Sequence, residues 1–191
     1  KTISEMTNQN DFIFAAEESL GYLAGNFVRD KDASIGALLT SEMVSFLKDD
    51  GKTVPQYLDE LYEKYGYYKN TQVLIELPGR LGRRVMTKVM LNLRQNPPKK
   101  LGNLSITKVN DLLGATNMDP ESYSIGGSND IISFELSNDI RSRITIRPSG
   151  TEPKLKIYIQ RYEPVIESLR QVESKIDNNV QDISRDILSY I

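Results

Sequence analysis

The 191-residue chain has no cysteine and no histidine. Without cysteine there is no disulfide, no thiol nucleophile and no thiolate metal site. Without histidine the commonest general base and metal ligand are missing. Any acid–base chemistry falls to carboxylates, lysine or tyrosine. No apolar run approaches the roughly 18 residues a membrane span needs, and no signal-peptide pattern is present. Between Leu77 and Asn110 no acidic residue occurs, against eight basic ones: Arg80, Arg83, Arg84, Lys88, Arg94, Lys99, Lys100 and Lys108. No aromatic residue lies between Tyr68 and Tyr123, so this basic stretch has nothing to stack bases on. A positive field that draws in anionic small molecules fits it better than nucleic-acid binding. G-x-x-x-x-G-K-[ST] does not occur, which leaves no nucleotide P-loop. No internal repeat or low-complexity tract is present.

What is there is ordinary globular material: 39% apolar and 26% charged residues suit one sizeable domain or two small ones. "DFIFAA" (11–16) reads as a short buried strand and "EESLGY" (17–22) as a polar turn. Ile35, Leu38, Leu39, Met43, Phe46 and Leu47 recur at helical spacing, with Gly51 as a stop. Thr53 and Gln56 form a T-x-x-Q capping box with Pro55 in the first turn, opening a second helix that ends at Gly66. "NTQVLIEL" (70–77) reads as a connecting strand, and the domain boundary is placed near residue 70. A helix follows over about 81–95. Strands are expected at 103–112, 130–137, 141–147 and 155–162, with a turn-rich loop over 114–129. Pro164 is expected to open the last helix, carrying Val165, Leu169, Val172, Ile176, Val180, Ile183 and Ile187. The fold class is therefore α+β: a four-stranded, mostly antiparallel C-terminal sheet with flanking helices (70–191), preceded by a truncated α/β domain (1–69).

Three motifs carry chemistry. "RPSGTEPK" (147–154) lies between two strands. Arg147 presents a planar fork that suits phosphate. Gly150 permits positive φ and an anion nest, and Ser149 and Thr151 add hydroxyls. Pro148 and Pro153 stiffen the turn, lowering the ordering cost of binding. The same composition also fits a plain β-turn with its arginine along the surface. "EES" (17–19) offers two carboxylates and a hydroxyl for vicinal sugar hydroxyls, or else a helix N-cap with first-turn acids. "VRDKD" (28–32) brings Arg29 and Lys31 towards an anion, or forms a solvated turn of local ion pairs.

"RPSGTEPK" ahead of "LKIYIQ" resembles the phosphate-binding loop of the α-D-phosphohexomutases, the phosphoglucomutase and phosphomannomutase superfamily. "AAEESLGYLAGNFVRDKDASIGALL" (15–39) resembles that family's third-domain sugar-binding loop and the helix after it. Both occur in the family's order and at about its spacing, so the likeness covers nearly the whole chain. It implies that Glu17 and Ser19 hold sugar hydroxyls, with Lys31 in the same cleft and Arg29 a weaker match. It also implies that Arg147, Ser149, Gly150 and Thr151 grip the phosphate that is not transferred, with Lys154 a lesser candidate.

The departures set the expected scope. The family's phosphoserine loop and its Mg²⁺ loop, which belong to its first two domains, have no counterpart here. The resemblance thus implies a C-terminal piece, the end of domain 3 plus domain 4, that recognises substrate and is inactive alone. No catalytic residue, metal ligand or cofactor site is assigned to this chain. Mg²⁺ and a sugar bisphosphate activator are expected for the full-length enzyme. The expected partners are glucose 1-phosphate or glucose 6-phosphate and the N-terminal domains of the same cytoplasmic enzyme, with neither nucleic acid nor membrane. Tyr22 after Gly21, where relatives have His, leans towards the phosphoglucomutase branch, and Ser19 towards a hexose. Phosphomannomutase and phosphopentomutase activities are alternatives within the family. Two readings outside it are a stand-alone, non-enzymatic phosphosugar-binding module and an interaction protein using the 165–191 helix.

Overall fold

The computed structural model describes residues 12–17, 21–25, 30–113, 130–137 and 139–190, the side chains of Arg80 and Ile140 excepted. It divides into two compact units, Lys1–Glu60 and Leu61–Ile191. The expected loop at 114–129 lies outside the described residues.

In the first unit β1 (Phe14–Ala16) pairs antiparallel with β2 (Tyr22–Ala24). The expected buried strand is present but short and exposed, with Phe14 50% accessible. A two-stranded ribbon offers no second layer to cover it, and one is needed for burial. Helix α1 (Ala33–Asp49) starts where Asp32 accepts a hydrogen bond from the Ser34 backbone N–H at 2.7 Å. Gly36 lies under the Tyr22 ring, where a Cβ would be about as close as 2.5 Å. Helix α2 (Val54–Tyr65) begins on the expected capping box. The Thr53 N–H donates to Gln56 Oε1 at 2.9 Å, and the Gln56 N–H donates back to Thr53 Oγ1 at 3.4 Å. The unit boundary falls within α2.

The second unit holds β3 (Tyr67–Glu76), α3 (Gly79–Gln95), β4 (Lys100–Leu101), β5 (Leu104–Asp111), β6 (Ile132–Leu136), β7 (Asp139–Pro148), β8 (Lys154–Glu163) and α4 (Leu169–Leu188). The strands form one sheet in the order β3-β8-β7-β6-β5-β4, with every neighbour antiparallel. The four expected strands are all present, and two more join them. The stretch read as a connecting strand is β3, which is an edge of this sheet, paired with β8 over ten residues. The chain break "PPKKLG" contains the two-residue β4. The last helix starts five residues later than expected, because Ser168, not Pro164, supplies the cap: it accepts from the Gln171 N–H at 3.3 Å.

The core lies on one face of the sheet. Alternation in β6, β7 and β8 turns Ile132, Phe134, Leu136, Ile144, Ile146, Leu155, Ile157 and Ile159 inwards, each at most 1% exposed. Met86, Val89, Met90 and Leu93 of α3 and Val172, Ile176, Val180, Ile183 and Ile187 of α4 cover them. At about 1.5–3 kcal/mol for each large side chain buried, this layer dominates the unit's stability. The opposite positions of β7 and β8, including Arg143, Thr145, Arg147, Lys156 and Tyr158, point the other way and are half-buried or exposed.

Gly66 joins α2 to β3 with φ +92°, and a Cβ there would run into the Tyr162 ring. Both the left-handed backbone and the missing side chain are required. Gly66→Ala is expected to destabilise the second unit by about 2 kcal/mol or more. Urea unfolding followed by circular dichroism would check this, and an unchanged midpoint would refute it.

Candidate functional site

The RPSGTEPK segment is the β7–β8 turn. Arg147 is the penultimate residue of β7 and is held in register opposite Lys156 of β8. Pro148 is buried; Gly150 and Thr151 are exposed. The turn is closed by its own polar groups. The Ser149 N–H donates to the Lys154 carbonyl at 2.8 Å, and the Lys154 N–H donates to the Glu152 carbonyl at 2.8 Å. The Glu152 N–H donates to Ser149 Oγ at 3.3 Å. A further bond from the Leu77 N–H to the Pro153 carbonyl, 2.8 Å, fastens the turn to the end of β3.

Gly150 is not among the residues with positive φ. The nest expected from a left-handed glycine is therefore not what shapes this turn; the Ser149 side chain and two cross-turn bonds do that. Even so, the N–H groups of Gly150 and Thr151 make no hydrogen bond to the described residues. They are spare donors on the exposed side of the turn. The Arg147 guanidinium is exposed and pairs with no carboxylate among the described residues.

Lys154 is differently employed. Its Nζ lies 3.3 Å from Glu152 Oε1 and 3.4 Å from Glu76 Oε1. Glu152, and then Glu76, hold its pKa above the ordinary lysine value. Its charge is shared with two carboxylates, so it offers an incoming anion less than Arg147 does.

One residue was missed in the sequence. Lys156 stands directly across from Arg147 on the same outward face, half-buried, with no ion pair among the described residues. Its other cross-strand neighbour is Leu74, not an acid. Like charges directly opposite repel, so this pair is favourable only when an anion lies between. The signal was legible as the period-2 spacing of Lys154 and Lys156.

The second candidate cluster is in the first unit. The Glu17 N–H donates to the Gly21 carbonyl at 2.9 Å, closing the turn between β1 and β2. Glu17 Oε1 accepts an ion pair from Lys31 Nζ at 2.5 Å, both side chains remaining substantially exposed. The Glu17 carboxyl also occupies the space a Cβ on residue 21 would need, which makes Gly21 part of its placement. Glu17 and Lys31 are thus brought together. Ser19 and Arg29 lie outside the described residues.

Asp32, next to Lys31, has its pKa lowered, first by the Ser34 backbone hydrogen bond. A lowered carboxylate pKa means stability present above the unfolded value of 3.8 and lost as the pH falls through the folded one. Helicity of the chain is expected to fall over that acid range less in Asp32→Asn than in the parent. Parallel acid titrations by circular dichroism would decide the matter.

Among the described residues no group of three or more acidic side chains converges to hold a metal ion. No helix of the described residues is long and apolar enough to cross a membrane.

With this geometry in place, comparison with known proteins gives a consistent result. Residues 1–65 match the family model described as phosphoglucomutase/phosphomannomutase, alpha/beta/alpha domain III. The whole chain aligns with a phosphoglucomutase of Staphylococcus haemolyticus at 34% identity, covering 32% of that protein. A phosphoglucomutase of Staphylococcus aureus strain N315 is 33% identical over 88% of the chain and 31% of its own length. The fold is similar to a crystal structure of pp63/parafusin, a phosphoglucomutase from Paramecium, in its open form. That match has a TM-score of 0.55 at 19% identity, over 93% of this chain and 30% of that one. Over its whole length the chain is thus similar to phosphoglucomutases, and its first 65 residues match a domain of the phosphoglucomutase/phosphomannomutase family. It spans about a third of the length of the curated relatives it matches.

Proposed function

We propose that this chain is the substrate-recognition portion, towards the C-terminus, of a phosphoglucomutase-like enzyme that interconverts hexose 1- and 6-phosphates. The β7–β8 turn takes the phosphate that is not transferred. Arg147 supplies a bidentate fork, Lys156 a second cation, and the Gly150 and Thr151 N–H groups and hydroxyls the remaining donors. Glu17, with Ser19 and Lys31, takes the sugar hydroxyls. Anchoring the unreactive end of a substrate supplies binding energy and orientation to chemistry at the other end. That chemistry, through a phosphoserine with Mg²⁺ and a bisphosphate activator, belongs to parts of the enzyme other than the residues described.

The observation that carries the reading is an exposed arginine at the end of a sheet strand, with no ion pair among the described residues, beside two backbone donors that make no hydrogen bond to those residues, in a turn closed by internal bonds. The test is an ¹⁵N titration of the chain with glucose 1-phosphate and, separately, with glucose. Shifts at residues 147–154 with the phosphate ester and none with glucose are expected. Equal responses, or none at the turn, would overturn the assignment. The purified 191-residue chain is also expected to show no mutase turnover.

A further inference from the structure

Three cations stand on the outward face at the β7–β8 turn, and they are not equally free. Arg147 and Lys156 make no ion pair among the described residues, whereas Lys154 makes two. The strand register fixes how close the three are. Arg147 and Lys156 are directly opposite, and Lys154, two residues before Lys156 on the same face, is the diagonal neighbour of Arg147. Diagonal positions in a sheet lie about 7–8 Å apart, within reach of two long side chains meeting on one anion. The carboxylates are placed as firmly. Glu76 is the register partner of Lys154 across β3 and β8. The Leu77 N–H bond to the Pro153 carbonyl, 2.8 Å, ties that end of β3 to the turn. Glu152 sits inside the turn, held by the bond from its N–H to Ser149 Oγ. The Lys154 side chain is 27% exposed, against 66% for Glu76 and 56% for Glu152. Ion pairs this exposed contribute little, so a doubly charged anion beside Arg147 can compete for the lysine. It then meets two carboxylates that have lost their cation.

We propose that Glu76 and Glu152 set the affinity of the β7–β8 turn for a phosphate monoester by engaging the Lys154 ammonium, which would otherwise be the third cation on the phosphate. The inference rests on that turn being the phosphate site. The two glutamates are positioning residues, acting through Lys154 rather than through contact with the ligand. With them present, the dianion is met by Arg147 and Lys156 and only in part by Lys154. The grip is weaker than three cations at this spacing would give, and the ligand leaves more readily.

The experiment is a calorimetric titration with glucose 1-phosphate at about 0.15 M salt, where a Debye length of about 8 Å screens more distant charges. The E76Q/E152Q variant should bind about fivefold more tightly than the unsubstituted chain, which is one exposed ion pair returned to the ligand. The same two substitutions in a Lys154→Met chain should change affinity by less than about 1.5-fold, because the cation they restrain is gone. Glutamine keeps the size of glutamate, and the bonds by which residue 152 closes the turn come from its backbone. No gain in E76Q/E152Q would overturn the proposal. So would an equal gain with and without Lys154, which means that the carboxylates repel the ligand directly. Arg147→Ala keeps this apart from the parent reading. If it binds glucose 1-phosphate as the unsubstituted chain does, the phosphate-site assignment has failed and this inference with it. If it loses affinity while the glutamate variants show no gain that depends on Lys154, this inference alone has failed.

Discussion

Arg94→Met is expected to cost the second unit about 3–5 kcal/mol. The Arg94 side chain is fully buried on α3. Its Nε donates to Asp111 Oδ1 at 3.1 Å and its Nη2 to Asp130 Oδ1 at 2.7 Å. Asp111 ends β5 and also accepts the Leu113 N–H at 3.2 Å; Asp130 lies two residues before β6. The guanidinium therefore ties the adjoining ends of two neighbouring strands to the helix beneath them. Methionine fills much of the same volume but removes the ion pairs that Arg94 makes with two carboxylates at 11% and 0% exposure. The loss of that buried charge pairing, not lost packing, is the source of the penalty. Denaturant unfolding followed by circular dichroism measures it. Adding Asp130→Asn should recover part of the loss, since the two sites share one network. A single-variant loss below about 1 kcal/mol would show that the charges find water instead.

Arg147→Ala is expected to weaken glucose 1-phosphate binding by roughly 10- to 100-fold, the range for hydrogen bonds to a charged group. Stability should change by no more than about 0.5 kcal/mol, because the side chain is exposed and makes no ion pair among the described residues. Arg147→Lys should recover only part of the affinity: it restores the charge but not the planar fork. Calorimetric titration of the three chains gives the comparison. Unchanged affinity in the alanine variant would remove the turn from the binding site.

The sequence by itself determined the elements whose signals are local. The Thr53–Gln56 capping box and the alternating strands around Phe134 and Ile157 appear where their residues place them. So does helix α3, expected over about 81–95 and found at Gly79–Gln95. The family was legible too, because a phosphate turn and a sugar-binding loop are short, contiguous strings. The pairing of Glu17 with Lys31 joins residues only fourteen apart in the sequence.

Only the tertiary structure decided what depends on partners distant in the chain. β3 reads alone as a connecting strand, and pairing with β8, some ninety residues on, makes it an edge of the sheet. Arg94 stands in a run of surface cations. Four residues after Met90, it lies on the buried face of α3, where two aspartates from other elements neutralise it. Arg147 and Lys156 become a facing pair only once the β7–β8 register is set. Gly150 shows the reverse case. A glycine in a turn suggests a left-handed backbone, but cross-turn bonds from Ser149 and Lys154 shape this one without it. Composition states which charges and donors are available; register and burial decide which of them are already neutralised, and so which are left to meet a ligand.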